Sequence, residues 1–250
     1  MKIVETELCA YSVEACRIAR ECGLTRVELC AAPADGGTTP SAAAIELARR
    51  IEGLRLHVMI RPRGGDFLYS DEEFRQMKRE IAFAREYGAD GVVFGVLTPD
   101  GDVDVRRTSE LVHEAGGMDV TFHRAFDMVR DPMQALEDVV AAGCTRILTS
   151  GGCNKALDGL GTLRRLVACA DGRIKIMAGS GISPENVREI VASGVDAVHF
   201  SARSLRESGM RWRKEGISMG GSGDTPEYGH LEADPDVIAR IKEAIKKDVF

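Results

Sequence analysis

Eight short β-rich apolar stretches recur along the chain, at residues 3–9, 26–30, 56–61, 91–96, 119–123, 146–149, 174–178 and 197–201. Between them the apolar positions change from a period of roughly 2 to one of about 3.6, the spacing of a helix face. Ile81 and Ala84 show this in the third interval, and Ala135, Leu136, Val139 and Val140 in the fifth. The helical intervals open on side chains able to accept from free backbone N–H groups: Ser12, Ser41 after Pro40, Ser70 with Glu73 following, Asp131 before Pro132, and Ser183 before Pro184. Most close on glycine, as at Gly23, Gly53, Gly88, Gly116, Gly143 and Gly194, where a left-handed residue costs little.

Strand–helix units repeated in this way predict an α/β chain folded as a parallel (β/α)8 TIM-like barrel, a single domain over residues 1–250. The competing open doubly wound sheet expects a G-x-G-x-x-G turn after the first strand, and the sequence has none there. In a barrel, reacting groups sit at the carboxyl ends of the strands and in the loops after them. One stretch breaks the rhythm. Residues 203–235 carry Gly209, Gly216, Gly220, Gly221, Gly223 and Gly229 with few periodic apolar positions, which predicts an irregular segment covering the mouth or packed against another subunit. Val237, Ile238, Ile241, Ala244 and Ile245 then share one face of a closing helix.

Composition limits the partners. With 44% hydrophobic and 29% charged residues in 250, the chain can bury a sizeable core, which excludes disordered and collagen-like classes. A net charge of −6 gives no broad positive field, so no nucleic-acid partner is expected. The basic residues Arg203, Arg206, Arg211, Arg213 and Lys214 read as a solvated or interface loop. No apolar run approaches the roughly 20 residues of a membrane span. Lys2, Glu5 and Glu7 interrupt any signal-peptide core, so a cytoplasmic protein without membrane contact is expected. Seven cysteines, an odd number, then favour free thiols over a disulfide framework.

The candidate chemistry lies at the strand ends. Glu7-Leu8-Cys9 and Glu28-Leu29-Cys30 repeat one tripeptide, and alternate residues of a strand share a face. Adjacent strands would bring Cys9 and Cys30 together at the mouth with both carboxylates one layer below. Two thiols suit a soft ion such as Cu(I); the bland alternative is a pair of small buried apolar groups. Inward Glu7 and Glu28 require cations, and Arg61 with Arg63 can supply them, either as a structural ion network or as a grip on a substrate anion. His123 ends the fifth stretch as a general acid–base candidate with Asp127 nearby, although the alternation leaves open whether His123 or Arg124 faces inward. Ser150-Gly151-Gly152, Gly179-Ser180-Gly181 and Ser201 follow the last three stretches. Gly179, Ser180, Gly181 and Ser201 form a candidate anion site ahead of a helix start at Ser183, or simply tight turns.

Longer motifs carry a resemblance. The segments Glu28-Leu29-Cys30-Ala31-Ala32-Pro33, Ile60-Arg61-Pro62-Arg63-Gly64-Gly65-Asp66-Phe67 and Thr121-Phe122-His123-Arg124-Ala125-Phe126-Asp127 resemble the CutC family of copper homeostasis proteins. Gly36-Gly37-Thr38-Thr39-Pro40, Leu148-Thr149-Ser150-Gly151, Phe200-Ser201-Ala202-Arg203 and Met210-Arg211 extend the match along nearly the whole chain. The resemblance implies a cytoplasmic TIM-like barrel, a homo-oligomer and a role in copper handling, with Cys9 and Cys30 at positions proposed as Cu(I) ligands in some members. Two expectations result. One is Cu(I) binding by Cys9 and Cys30. The other is an enzyme acting on a small phosphorylated or carboxylated compound, with Glu28, Arg61 and His123 as catalytic groups.

Overall fold

A computed structural model describes residues 4–217 and 226–246. Its strands β1 (Glu5–Ala10), β2 (Arg26–Leu29), β3 (Arg55–Met59), β4 (Gly91–Phe94), β5 (Asp119–Phe122), β6 (Arg146–Thr149), β7 (Lys175–Gly179) and β8 (Ala197–Phe200) pair in parallel and in sequence order into a closed barrel. The helices between them are α1 (Val13–Glu21), α2 (Ala42–Arg49), α3 (Asp71–Glu86), α4 (Val105–Ala115), α5 (Pro132–Ala141), α6 (Leu160–Ala170) and α7 (Val187–Val191). The (β/α)8 expectation is met, with strand limits close to those read from the alternation. The expected start of the first strand, at Ile3, lies outside the described residues.

Local chemistry sets the helix starts. Ser12, Ser41, Ser70 and Asp131 each accept a backbone N–H of the first turn, and Ser70 completes a reciprocal capping box with Glu73. Ser183 does not begin a helix. The backbone turns through residues 183–186 and α7 starts only at Val187, so no long helix points its N-terminus at the mouth there.

The described part of residues 203–235 contains more order than its glycines suggested, while Gly220, Gly221 and Gly223 lie outside the described residues. Strands β9 (Arg203–Glu207) and β10 (Gly229–Ala233) form an antiparallel ribbon, with Leu205 opposite Leu231. Ser12, the cap of α1, donates its hydroxyl to Glu232 at 2.9 Å, fastening the ribbon beside the barrel. Helix α8 (Pro235–Lys246) follows and buries Ile238 and Ile241.

The two faces of each barrel strand have different chemistry. Leu8, Val27, Leu29, Leu56, Val58, Val92, Phe94, Val120, Phe122, Ile147, Ile176 and Val198 belong to one continuous apolar cluster shared with the helices. Full burial of each large member contributes about 1.5–3 kcal/mol. The opposite positions hold Glu7, Arg26, Glu28, His57, Thr121, Arg146 and His199, all buried. Among the described residues, two small apolar groups interrupt them: Cys9, Cys30, Met59 and Val93, and Leu148, Met177 and Ala197. The lumen of this barrel is therefore largely polar, where aliphatic layers are the usual filling.

Ion pairs hold the lumen together. Arg26 Nε donates to Glu7 at 2.6 Å, with both side chains almost fully inaccessible. Glu5, at the amino end of β1, pairs with Arg26, Lys175 and, at 3.3 Å, Arg146. Arg26, not Arg61, is thus the counter-charge of Glu7, which corrects the sequence expectation. Burial alone would raise the Glu7 carboxyl, but the His199 hydrogen bond and the Arg26 charge hold it well below the usual carboxylate range.

Two outcomes follow. Arg26→Met takes the guanidinium away from the buried Glu7 and leaves the His199 ring against it, and urea unfolding should show a loss of about 3–5 kcal/mol. The Glu5 carboxyl is raised by burial, but hydrogen bonds from Lys175 and Arg26 outweigh this and bring it down to about 2. Since the unfolded group titrates near 4.5, the stabilisation is complete above that pH and fades as the pH falls toward 2. Glu5→Gln should flatten the acid limb of stability in that window; an unchanged limb would show that Glu5 is not its source.

Candidate functional site

At the carboxyl ends of the strands, the parallel register places Cys9 opposite Glu28. The strands of a closed barrel are staggered. Glu28 therefore comes between the two thiols and not beneath them, as simple alternation had suggested. Its Oε2 lies 3.5 Å from Cys9 Sγ and 3.3 Å from Cys30 Sγ. One ligand atom from each of Cys9, Glu28 and Cys30 falls within 4.8 Å of the others.

His199 joins the cluster from β8. Its Nδ1 lies 2.7 Å from Glu7 and its Nε2 lies 3.6 Å from Glu28. Burial disfavours the imidazolium, but Glu28, Cys9 and Glu7 outweigh it and keep the ring protonated well above its ordinary range. Burial pushes Glu28 up to about 8 despite His199. The hydrogen bond from Cys30 is the main cause holding the Cys9 thiol well below its usual value, against burial and with help from His199. Cys30 moves the other way, because burial and the adjacent Cys9 charge both favour its thiol. The two thiols are thus pushed in opposite directions, Cys9 toward its charged form and Cys30 toward its neutral one. Glu7, Glu28 and His199 form a second compact group within 4.8 Å, but Glu7 is already engaged by Arg26.

The cluster borders a cavity of about 470 Å³ at the mouth. Among the residues expected at the site, Cys9, Glu28, Arg61, His123, Ser180, Gly181 and Ser201 line it. Cys30 is buried and is not among the lining residues. Arg63 does not line the cavity. Its guanidinium is consumed by Glu73 at 2.6 Å and Asp66 at 3.0 Å, so the anion-binding expectation fails for it. Gly179 lies within β7, where an added Cβ would come 2.6 Å from Leu148; it gives room to packing and does not line the cavity. Ser180 has φ +80°, an uncommon angle for a side-chain-bearing residue, and its hydroxyl donates to the Asn154 carbonyl at 2.6 Å.

His123 faces the lumen while Phe122 packs outward, which settles the alternation on β5. Its Nδ1 accepts the Ala125 N–H at 3.2 Å, so the neutral ring carries its proton on Nε2, for which the described residues provide no partner. Burial and the Arg61 charge lower its pKa to about 3. Gly95 makes this position possible: a Cβ there would lie 2.6 Å from Nδ1. Asp127 is not the orienting acid expected of it, because it accepts from Arg124 and the Ser150 backbone.

Several contributors were not singled out from sequence. Arg26 and Arg146 were legible in principle, since each lies two residues before an inward group of its own strand, Glu28 and Leu148. Tyr11 and Phe67 lie beyond strand ends and gave no periodic signal, yet both line the cavity. Arg203, read from the sequence as part of a solvated or interface loop, is the first residue of β9 and lines the cavity too.

Fold and site together define a (β/α)8 barrel with a buried thiol, carboxylate and imidazole cluster at the carboxyl ends of its strands. The chain belongs to the CutC family, whose model matches residues 4–204. A CutC protein of Chromobacterium violaceum is 49% identical over 242 residues, covering 96% of this chain and 98% of that one. The copper homeostasis protein cutC homolog of Homo sapiens is 45% identical over 245 residues, 98% of this chain and 89% of its own. A crystal structure of a CutC protein from Streptococcus agalactiae superposes with a TM-score of 0.75 at 35% identity, covering 80% of this chain and 99% of that one. An aldolase structure at 19% identity and TM-score 0.60 shares the barrel alone.

The His123 ring should remain neutral through the physiological range. In ¹⁵N-resolved imidazole spectra its signals should show the Nε2–H tautomer and titrate near 3; a midpoint near 6.5 would refute the buried, neutral assignment.

Proposed function

We propose that this protein handles copper, binding Cu(I) through Cys9 and Cys30. The observation that carries the reading is the approach of the two thiols and Glu28 to within 4.8 Å of one another. Thiolate bonds to a first-row d¹⁰ ion are roughly 2.3 Å long, so two placed end to end span about 4.6 Å. Soft sulfur selects Cu(I) over harder cations, and the thiolate character of Cys9 supplies the charge that such an ion needs. Glu28 and His199 beside the sulfurs would set their charge and orientation.

The names of curated relatives accord with this reading: the human relative is called a copper homeostasis protein. A reducing cytoplasm suits a Cu(I) site, and all seven cysteines are free thiols. No helix among the described residues is long and apolar enough to cross a membrane. Exposed Leu205 and Leu231 on the ribbon, with Met210 and Trp212 beyond β9, support a homo-oligomer.

Anaerobic competition with a chromophoric Cu(I) chelator tests the site. The unmodified chain should take up about one equivalent, and Cys9→Ser and Cys30→Ser should each abolish competitive uptake. Glu28→Gln, which keeps both sulfurs, should weaken binding by about 10–100-fold. Unchanged affinity in both serine variants would overturn the assignment.

A further inference from the structure

Beyond the thiol cluster, the mouth cavity carries positive charge that the described residues do not neutralise. Arg61 is 6% exposed, and its guanidinium donates to the backbone carbonyls of Asp35 at 2.6 Å, Gly37 at 2.9 Å and Gly65 at 2.8 Å. Those carbonyls satisfy N–H groups but leave a full unit of charge uncancelled. Arg203, the first residue of β9, lies 4.9 Å over the Tyr11 ring, and its buried Nε has no acceptor. Among the described residues, neither arginine forms an ion pair with a carboxylate. Arg61 is buried and Arg203 is half-buried with its Nε inaccessible; two such guanidinium groups lining one cavity without a counter-ion among the described residues are unusual, because charge removed from water is ordinarily paired.

The third observation is His123. It is 3% exposed, its ring is fixed by the Ala125 N–H and by Phe67 at 4.9 Å between centroids, and its Nε2–H has no partner. Unmatched buried donors are rare in folded proteins and call for an explanation. Here the donor belongs to a cavity that also presents both unpaired arginines, at a volume within the range of small-molecule sites. The acidic residues on the lining are Asp35, which is exposed, and Glu28, which is turned to the thiols and His199.

We infer that the cavity binds a small organic anion bearing a carbonyl or hydroxyl oxygen beside its charged group. Arg61 and Arg203 hold the anionic group, and Nε2–H of His123 donates to the neighbouring oxygen. A neutral imidazole suits that second task, since it hydrogen-bonds a carbonyl without adding a counter-ion. The ribbon thereby becomes part of the site, because β9 supplies one of the two cations. The site goes beyond copper binding and does not require it.

Two probes of the same chemistry distinguish the anion: pyruvate for a carboxylate and dihydroxyacetone phosphate for a phosphate ester. Each is titrated into the reduced, metal-free protein, following the His123 Nε2–H resonance and the heat of binding. Saturable binding of either probe with a shift of that resonance is expected. Arg203→Gln should weaken it by about tenfold or more, from loss of a charge-assisted contact. His123→Phe should weaken it similarly, and His123→Gln, whose amide can still donate, should recover part of the loss. Thermal unfolding checks that each variant folds, and Arg203→Gln on the ribbon carries the test if the core variant does not. Absence of any shift with both probes at ~10 mM, beyond a millimolar dissociation constant, would overturn the inference. So would equal binding by the unmodified chain and Arg203→Gln.

Discussion

The contact between Glu7 and Arg26 is the constraint on which the interior rests. A barrel lumen lined with aliphatic side chains needs no internal neutrality, whereas this one encloses acids and bases on adjacent strands at 2.6 Å separation. A buried pair of this kind contributes little net stability compared with apolar packing, but it penalises any misplacement of its members severely. Register between β1 and β2 is consequently fixed by charge as well as by backbone hydrogen bonds. The same register presents Cys9 to Glu28 one step further along, so the position of the sulfur cluster derives from the ion pair beneath it.

Charge also passes upward from that pair. Arg26 holds Glu7 ionised, Glu7 holds His199, and His199 favours negative charge among Cys9 and Glu28. The chain of contacts runs from β2 through β1 to β8 and so crosses the seam between β1 and β8 that closes the barrel. A sulfur centre connected in this way answers to the protonation of several groups and not to a single thiol.

The fold was largely legible because strands and helices differ in period and because serine, aspartate and glycine mark the helix ends. The identity of the mouth residues was legible for a related reason, since the carboxyl end of a strand is a position in sequence. Partnership was less so. Alternation tells which residues face inward but not the stagger between strands, which is why Glu28 was expected below the thiols and Arg61 was expected to neutralise Glu7. Arg63 was misread because its acceptors, Glu73 on α3 and Asp66 in its own loop, lie outside any strand pattern. The turn at 183–186 shows the limit of cap motifs: Ser183 accepts the Glu185 N–H on its hydroxyl and the Val187 N–H on its carbonyl, as a cap does, yet α7 itself starts only at Val187.

The clasp between Ser12 and Glu232 joins the first helix to a ribbon formed more than two hundred residues later in the chain. Hydrogen bonding between β1 and β8 already closes the cylinder, so this second fastening is not needed for closure. Its effect is to make the rim a composite of both ends of the polypeptide. A chain cut shortly after β8 would retain every barrel strand and still lack the wall that carries Arg203 over Tyr11. Completeness of the cylinder and completeness of its opening are therefore separable properties of this protein.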